Sequence, residues 1–152
     1  MINRLATLAV AALLVIAAAM AFLDQGGVGG GGQPASQLAG QAFEDPAGVQ
    51  AVIETVRATG RLPDHYVTKR EAEALGWRPG SDLCDAAPGR VIGGDRFGNR
   101  EGLLPEAPGR RWYEADLDFD CGRRGAKRLV FSNDGLIFVT VDHYESFVEV
   151  TE

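Results

Sequence analysis

A chain of 152 residues, 45% of them apolar, is long enough for one packed domain with appendages. Its net charge of −6 argues against a nucleic-acid binder held by bulk positive charge. The two cysteines and two scattered histidines lack the ligand spacing of a zinc site.

The N-terminus reads MINRLATLAVAALLVIAAAMAFLDQ. Arg4 gives a positive start, Leu5 to Leu23 is apolar apart from Thr7, and Ala19 to Ala21 offers a small-x-small cleavage site. Residues 1–23 are read as an export signal, either cleaved or kept as an anchor. The apolar run also reaches the roughly 20 residues that span a bilayer. Residues 24–41 contain GGVGGGGQPASQ, too poor in apolar surface to repay ordering, and are read as a flexible linker. The folded domain is expected over 42–152.

The stretch EDPAGVQAVIETVRATGRLP predicts a helix with Asp45 as N-cap and Pro46 in the first turn. Val49, Val52, Ile53 and Val56 recur at helical spacing, and Gly60 ends the run. In VTKREAEALGW, Thr68 and Glu71 form a capping box and Gly76 stops a short helix with Lys69 in its first turn. The helix dipole disfavours a lysine there, so Lys69 is either tolerated by solvent or kept for another purpose. DLCDAAPG predicts one more helical turn. After Gly89 the period changes. RVIGGDRF, RRWYEADLDF, KRLVFS and LIFVTVDH read as strands, SFVEV as a short edge strand, and SNDG as a hairpin turn. Helices followed by strands predict an α+β fold, its helices packed on a mostly antiparallel sheet of about five strands. One sheet face should take the helices and leave the other for a ligand.

Alternation along RRWYEADLDF puts Trp112, Glu114 and Asp116 on one face and Tyr113, Ala115 and Leu117 on the other. CGRRGAKRLV carries Arg123, Arg124, Lys127 and Arg128, the densest basic cluster of an acidic chain. Read alone, this is either a solvated loop or a phosphate site, since guanidinium groups bind phosphate oxygens bidentately. Arg100 and Lys69 could join it. His143 in DHY and His65 in DHYV are each either a structural histidine or a proton donor. A carboxylate, an imidazole and several arginines, with no metal motif, suit metal-free phosphoryl transfer, for which RNA supplies its own 2′-hydroxyl nucleophile. Cys84 and Cys121, an even pair in an exported chain, suggest a disulfide. The loop they enclose would stabilise the fold by roughly 3–4 kcal/mol in the chain-entropy account.

LPDHYVTKREAEALGW, APGRVIGGDRFGNREGLLP, GRRWYEADLDF and TVDHYESF together resemble the barnase-like secreted microbial ribonucleases over about residues 43–150. The resemblance implies an endoribonuclease that cleaves single-stranded RNA 3′ of guanosine through a 2′,3′-cyclic phosphate. It implies Glu114 as general base and His143 as general acid, with Asp142 as an electrostatic neighbour. Lys69, Arg124 and Arg128 would stabilise the phosphate. Phe97, Asn99, Arg100, Glu101 and Tyr144 would bind substrate, with Phe97 to Gly102 as the guanine loop. It further implies a monomer with no cofactor and no metal, a small acidic inhibitor similar to barstar, and no membrane partner unless the leader is retained. It strengthens the Cys84–Cys121 pairing. Arg123 stands where the family often has an aromatic. Two other readings remain open: a catalytically silent nucleotide-binding relative, and a membrane-tethered ribonuclease toxin.

Overall fold

The computed structural model describes residues 33–34 and 42–151; the leader and most of the expected linker lie outside the described residues. Among the described residues three helices precede the long strands: α1 Pro46–Thr59, α2 Lys69–Ala74 and α3 Leu83–Ala86. The strands are β1 Gln33–Pro34, β2 Tyr66–Val67, β3 Val91–Phe97, β4 Trp112–Asp116, β5 Arg128–Ser132, β6 Ile137–Thr140 and β7 Val148–Thr151. Among the described residues no helix is long and apolar enough to cross a membrane.

The helix ends follow their local signals. The Asp45 carboxylate accepts the Gly48 amide at 3.0 Å, satisfying one of the donors a helix N-terminus leaves open. Gly60 closes α1 in the left-handed region, at φ 68°, donating its amide to the Val56 carbonyl at 2.7 Å. Thr68 and Glu71 form the reciprocal capping box of α2. The Lys69 amide, in the same first turn, donates to the Asp95 carboxylate on β3 at 2.9 Å. The sheet therefore completes the cap and fixes where Lys69 begins. Asp82 caps α3 through the Cys84 amide.

The sheet order is β1-β7-β6-β5-β4-β3-β2. β3 to β7 pair antiparallel, the five strands expected. Two-residue parallel strands extend both edges, β2 on β3 and β1 on β7. β1 lies within the stretch read as linker, where Gln33 pairs with Val150 and Pro34 with Thr151. The β3–β4 register shifts between Gly93 and Asp95, so Gly94, at φ +98°, is an extra residue. The bulge sets Asp95 opposite Glu114.

α1 lays Val49, Val52, Ile53 and Val56 on Ala115, Leu117, Leu129, Phe131, Ile137 and Val139. Each fully buried aliphatic side chain contributes about 1.5–3 kcal/mol by leaving water. Ala72, Trp77, Leu83, Ala87 and Ile92 form a second cluster under α2 and α3. The other sheet face is not left open along its whole length. Leu104, from the loop after β3, covers Trp112, Val130 and Phe138 there. The rest of that face carries Glu114, Asp116 and Arg128, themselves buried.

Candidate active site

Glu114 lies mid-strand on β4, on the face away from α1, with only 9% of its side chain exposed. Lys69 Nζ donates to its Oε1 at 2.6 Å from the first turn of α2. The Tyr144 hydroxyl donates to its Oε2 in a short hydrogen bond. Burial pushes the Glu114 carboxyl up. The hydrogen bonds from Lys69 and Tyr144, with the charges of Lys69 and Arg124, outweigh it and hold the group below its ordinary value. Burial and the same Glu114 contact push the Tyr144 hydroxyl well above its ordinary value, so it stays a donor.

Two residues along the same face, Asp116 is almost fully buried. Arg124 grips it through Nε and Nη2, at 2.7 and 2.6 Å. Arg128 Nε stands 3.0 Å from its Oδ1, an ion pair outside hydrogen-bond geometry. Arg128 Nη1 donates to the Gly125 and Lys127 carbonyls at 2.8 Å each. Burial alone would lower the Arg124 guanidinium; hydrogen bonding to Asp116 and the charges of Asp116 and Glu114 raise it. One carboxylate thus aims both arginines. Strand alternation placed Asp116 beside Glu114 and the basic cluster marked both arginines, but their pairing with Asp116 across the β4–β5 loop follows no periodic pattern.

His143 is exposed on the loop after β6. Its amide donates to the Ala126 carbonyl at 3.2 Å, joining this loop to the one that carries Arg124. The His143 ring centroid lies 5.0 Å from that of Tyr144. The Tyr144 ring in turn stacks on Phe97 at 5.1 Å and sits beneath the Arg128 guanidinium at 5.9 Å. Lys69, Phe97, Glu114, Tyr144 and Arg128 are therefore linked by contacts, Arg124 joins them through Asp116, and His143 borders them.

The rest of the expected substrate loop is placed differently. Asn99, at φ 36°, turns its side chain inward, accepting the Leu104 amide and donating to the Leu104 carbonyl, both at 3.0 Å, and to Glu106. It holds the loop closed. Arg100 and Glu101 are exposed beside it. The Asp142 carboxylate is committed to Thr140 and Ser146 rather than to His143. His65 lines a groove of about 700 Å³ with Val49, Tyr66, Leu117 and Asp120, on the α1 side of the sheet. The expected disulfide is present: Cys84 on α3 is bonded to Cys121 on the β4–β5 loop.

An α+β domain whose sheet carries a buried carboxylate, two carboxylate-aimed arginines and a bordering histidine holds the kinds of group that acid–base chemistry on a phosphodiester calls for. The model of the ribonuclease family matches residues 50–151. The chain belongs to the ribonuclease family, in the barnase-like microbial group that its four motifs imply, and is an endoribonuclease on that footing. It is similar to the ribonuclease of Heyndrickxia coagulans, 54% identical over 91 residues that span 59% of this chain and 84% of that protein. It is as similar to the ribonuclease of Bacillus intermedius, with 54% identity over 59% of this chain and 56% of that protein. A shorter match joins it to guanyl-specific ribonuclease St of Saccharopolyspora erythraea, 44% identical over 36% of this chain and 54% of that protein. The chain thus spans about half the length of the last two.

Proposed function

We propose that the chain is an exported, metal-independent endoribonuclease that cleaves single-stranded RNA 3′ of guanosine by transesterification and then hydrolysis. One observation carries this reading: the Glu114 carboxylate is held ionised between Lys69 and Tyr144, beside two arginines and the loop of His143. Glu114 takes the proton of the 2′-hydroxyl as that oxygen attacks phosphorus. His143 protonates the departing 5′ oxygen, leaving a 2′,3′-cyclic phosphate. In the second step His143 removes a proton from water and Glu114 returns one to the 2′ oxygen, as microscopic reversibility requires. Lys69 and the N–H groups of Arg124 and Arg128 left over by Asp116 and the loop carbonyls stabilise the charge that builds on the phosphoryl oxygens. Such preorganised donors act more strongly in a half-buried cleft than in water.

Guanine preference is proposed for the loop from Phe97 to Gly102, supported by the name of the Saccharopolyspora relative. Phe97 offers a stacking surface already fixed by Tyr144, and Glu101 an exposed acceptor for the Watson–Crick edge of the base. Export rests on the character of residues 1–23. The cationic cleft within an acidic chain would also suit a small acidic inhibitor.

The test is cleavage of mixed-sequence RNA by the purified chain in EDTA. Products should end in 2′,3′-cyclic phosphate, chiefly after guanosine. His143→Ala should lower the rate by about 10²–10⁴-fold, the usual contribution of one acid–base group, and His65→Ala should leave most activity. No cleavage in EDTA, or equal behaviour of the two histidine variants, would overturn the assignment.

A further inference from the structure

His143 and Tyr144 both occupy the left-handed backbone region, at φ 57° and 73°. A bulky residue seldom adopts that conformation, and two in succession persist only where their surroundings over-determine them. Holding them are Thr140 at the end of β6, Asp142 and Ser146 of the loop, and the Ala126 carbonyl. Thr140, fully buried at the end of β6, donates its hydroxyl to Asp142 Oδ1 at 2.7 Å and accepts the Tyr144 amide at 3.0 Å. The Ser146 amide donates to the same Oδ1 at 3.0 Å, and the Ser146 hydroxyl donates to Oδ2. Asp142 thus bridges Thr140, ahead of the strained pair, to Ser146 beyond it. The His143 amide, bonded to the Ala126 carbonyl, anchors the middle.

We propose that Asp142 is a positioning residue for the reaction: with Thr140 and Ser146 it latches the loop so that the His143 ring and the Tyr144 hydroxyl reach the cleft together. The latch acts through hydrogen-bond geometry at Oδ1 and Oδ2 rather than through charge presented to His143. Tyr144 is the member whose position can be read directly, because its hydroxyl meets Glu114 while its amide meets Thr140. Releasing the latch lets both residues relax toward ordinary backbone conformations and draws the acid and the Tyr144 donor away from Glu114. This inference rests on the proposed role of His143 as general acid.

The experiment compares Asp142→Ala, Asp142→Asn and Ser146→Ala in the full chain, measuring kcat and KM on a guanosine-containing dinucleotide and amide hydrogen exchange at Tyr144 and Ser146. Asp142→Ala should lower kcat by about 10–100-fold with KM within about threefold, the order lost when a reacting group is misplaced by an ångström. Exchange at both amides should accelerate. Asp142→Asn keeps an acceptor at Oδ1 and should recover most of that loss, with exchange close to the parent. Ser146→Ala removes one donor and should move both readouts in the same direction by less, which keeps the test usable if the alanine variant at 142 folds poorly. An asparagine variant as slow as the alanine variant would make charge the cause and overturn the proposal, as would unchanged kcat or unchanged exchange in Asp142→Ala. Parent-like cleavage by His143→Ala would sink the general-acid role instead, and exchange at Tyr144 would then judge the latch by itself.

Discussion

Glu114 is held by two donors of different kinds, one charged, one neutral and stacked on Phe97. Lys69 reaches it from a helix whose first turn would ordinarily exclude a lysine, and Asp95 pairs with the amide of that same residue. The unfavourable position is thereby explained: the charge is directed into the cleft rather than left on the helix end. The Glu114 carboxyl lies below its ordinary value despite burial, so its ionised form stabilises the fold at pH above the unfolded carboxylate range. That stability is lost as pH falls through the depressed folded value. Lys69→Met removes both a hydrogen bond and a charge that depress it, while burial and Tyr144 remain. The acid limb of the kcat/KM profile should then move to higher pH. The plateau should fall by about 10²–10³-fold, as when one donor to a developing oxyanion is lost. A pH profile on a dinucleotide checks both, and an unmoved acid limb would show that Lys69 does not govern the proposed base. The face on which Glu114 sits was legible from strand alternation alone. The anchoring of Arg124 and Arg128 by Asp116 was not, because it joins residues across a loop with no periodic pattern.

Strand β3 shows how an element can be readable in type yet not in detail. Its apolar character and its glycine pair were plain, but two adjacent glycines suit a turn as well as a bulge. Only pairing with β4 reveals that Gly94 is the extra residue. The neighbour Gly93 has the opposite constraint. A Cβ there would lie 2.5 Å from Tyr66 Cδ1 and 2.8 Å from Ala115 Cβ, so the close approach of β2, β3 and β4 requires glycine. Gly93→Ala should cost about 1–3 kcal/mol, the usual penalty for forcing atoms into a packed core, read as a lowered urea midpoint. It should also disturb Asp95 and through it the start of α2. Gly125→Ala is the control, since a Cβ there meets open space and its φ is not left-handed. Equal midpoints for the two would show that the sheet yields freely at Gly93. The helix caps needed no such tertiary knowledge: Asp45 with Pro46 and Gly60, and Thr68 with Glu71, act within one turn of chain and so are visible in sequence. The parallel edges β1 and β2 were invisible for the converse reason, since two residues carry no period.

At the scale of the whole molecule, an acidic chain surrounds a cationic cleft, so long-range attraction for RNA is weak and binding depends on contacts within about a Debye length, roughly 10 Å at 0.1 M salt. The rigidity of the cleft walls then matters more than total charge. The β4–β5 loop supplies Arg124, and three attachments hold it besides the His143–Ala126 bond. The Asp118 carboxylate accepts the Glu44 and Asp45 amides at 2.8 and 3.1 Å and Lys127 Nζ at 2.8 Å, tying the start of the loop to the entry of α1. Arg124 itself is clamped on Asp116. The Cys84–Cys121 bond, across a sequence separation of 37, joins the loop to α3 and the second core cluster. The first two attachments suffice to aim Arg124, and none of the proposed catalytic groups touches the sulfurs. The bridge should therefore act on the unfolded chain more than on the site. Replacing both cysteines by serine should lower stability by about 3–4 kcal/mol in the chain-entropy account, measured by denaturant unfolding. At a temperature where the variant is still folded, kcat and KM should stay close to those of the parent. A large fall in kcat under those conditions would mean that the bridge also aims Arg124. An unchanged unfolding midpoint would mean that the reduced chain already holds α3 and the β4–β5 loop together.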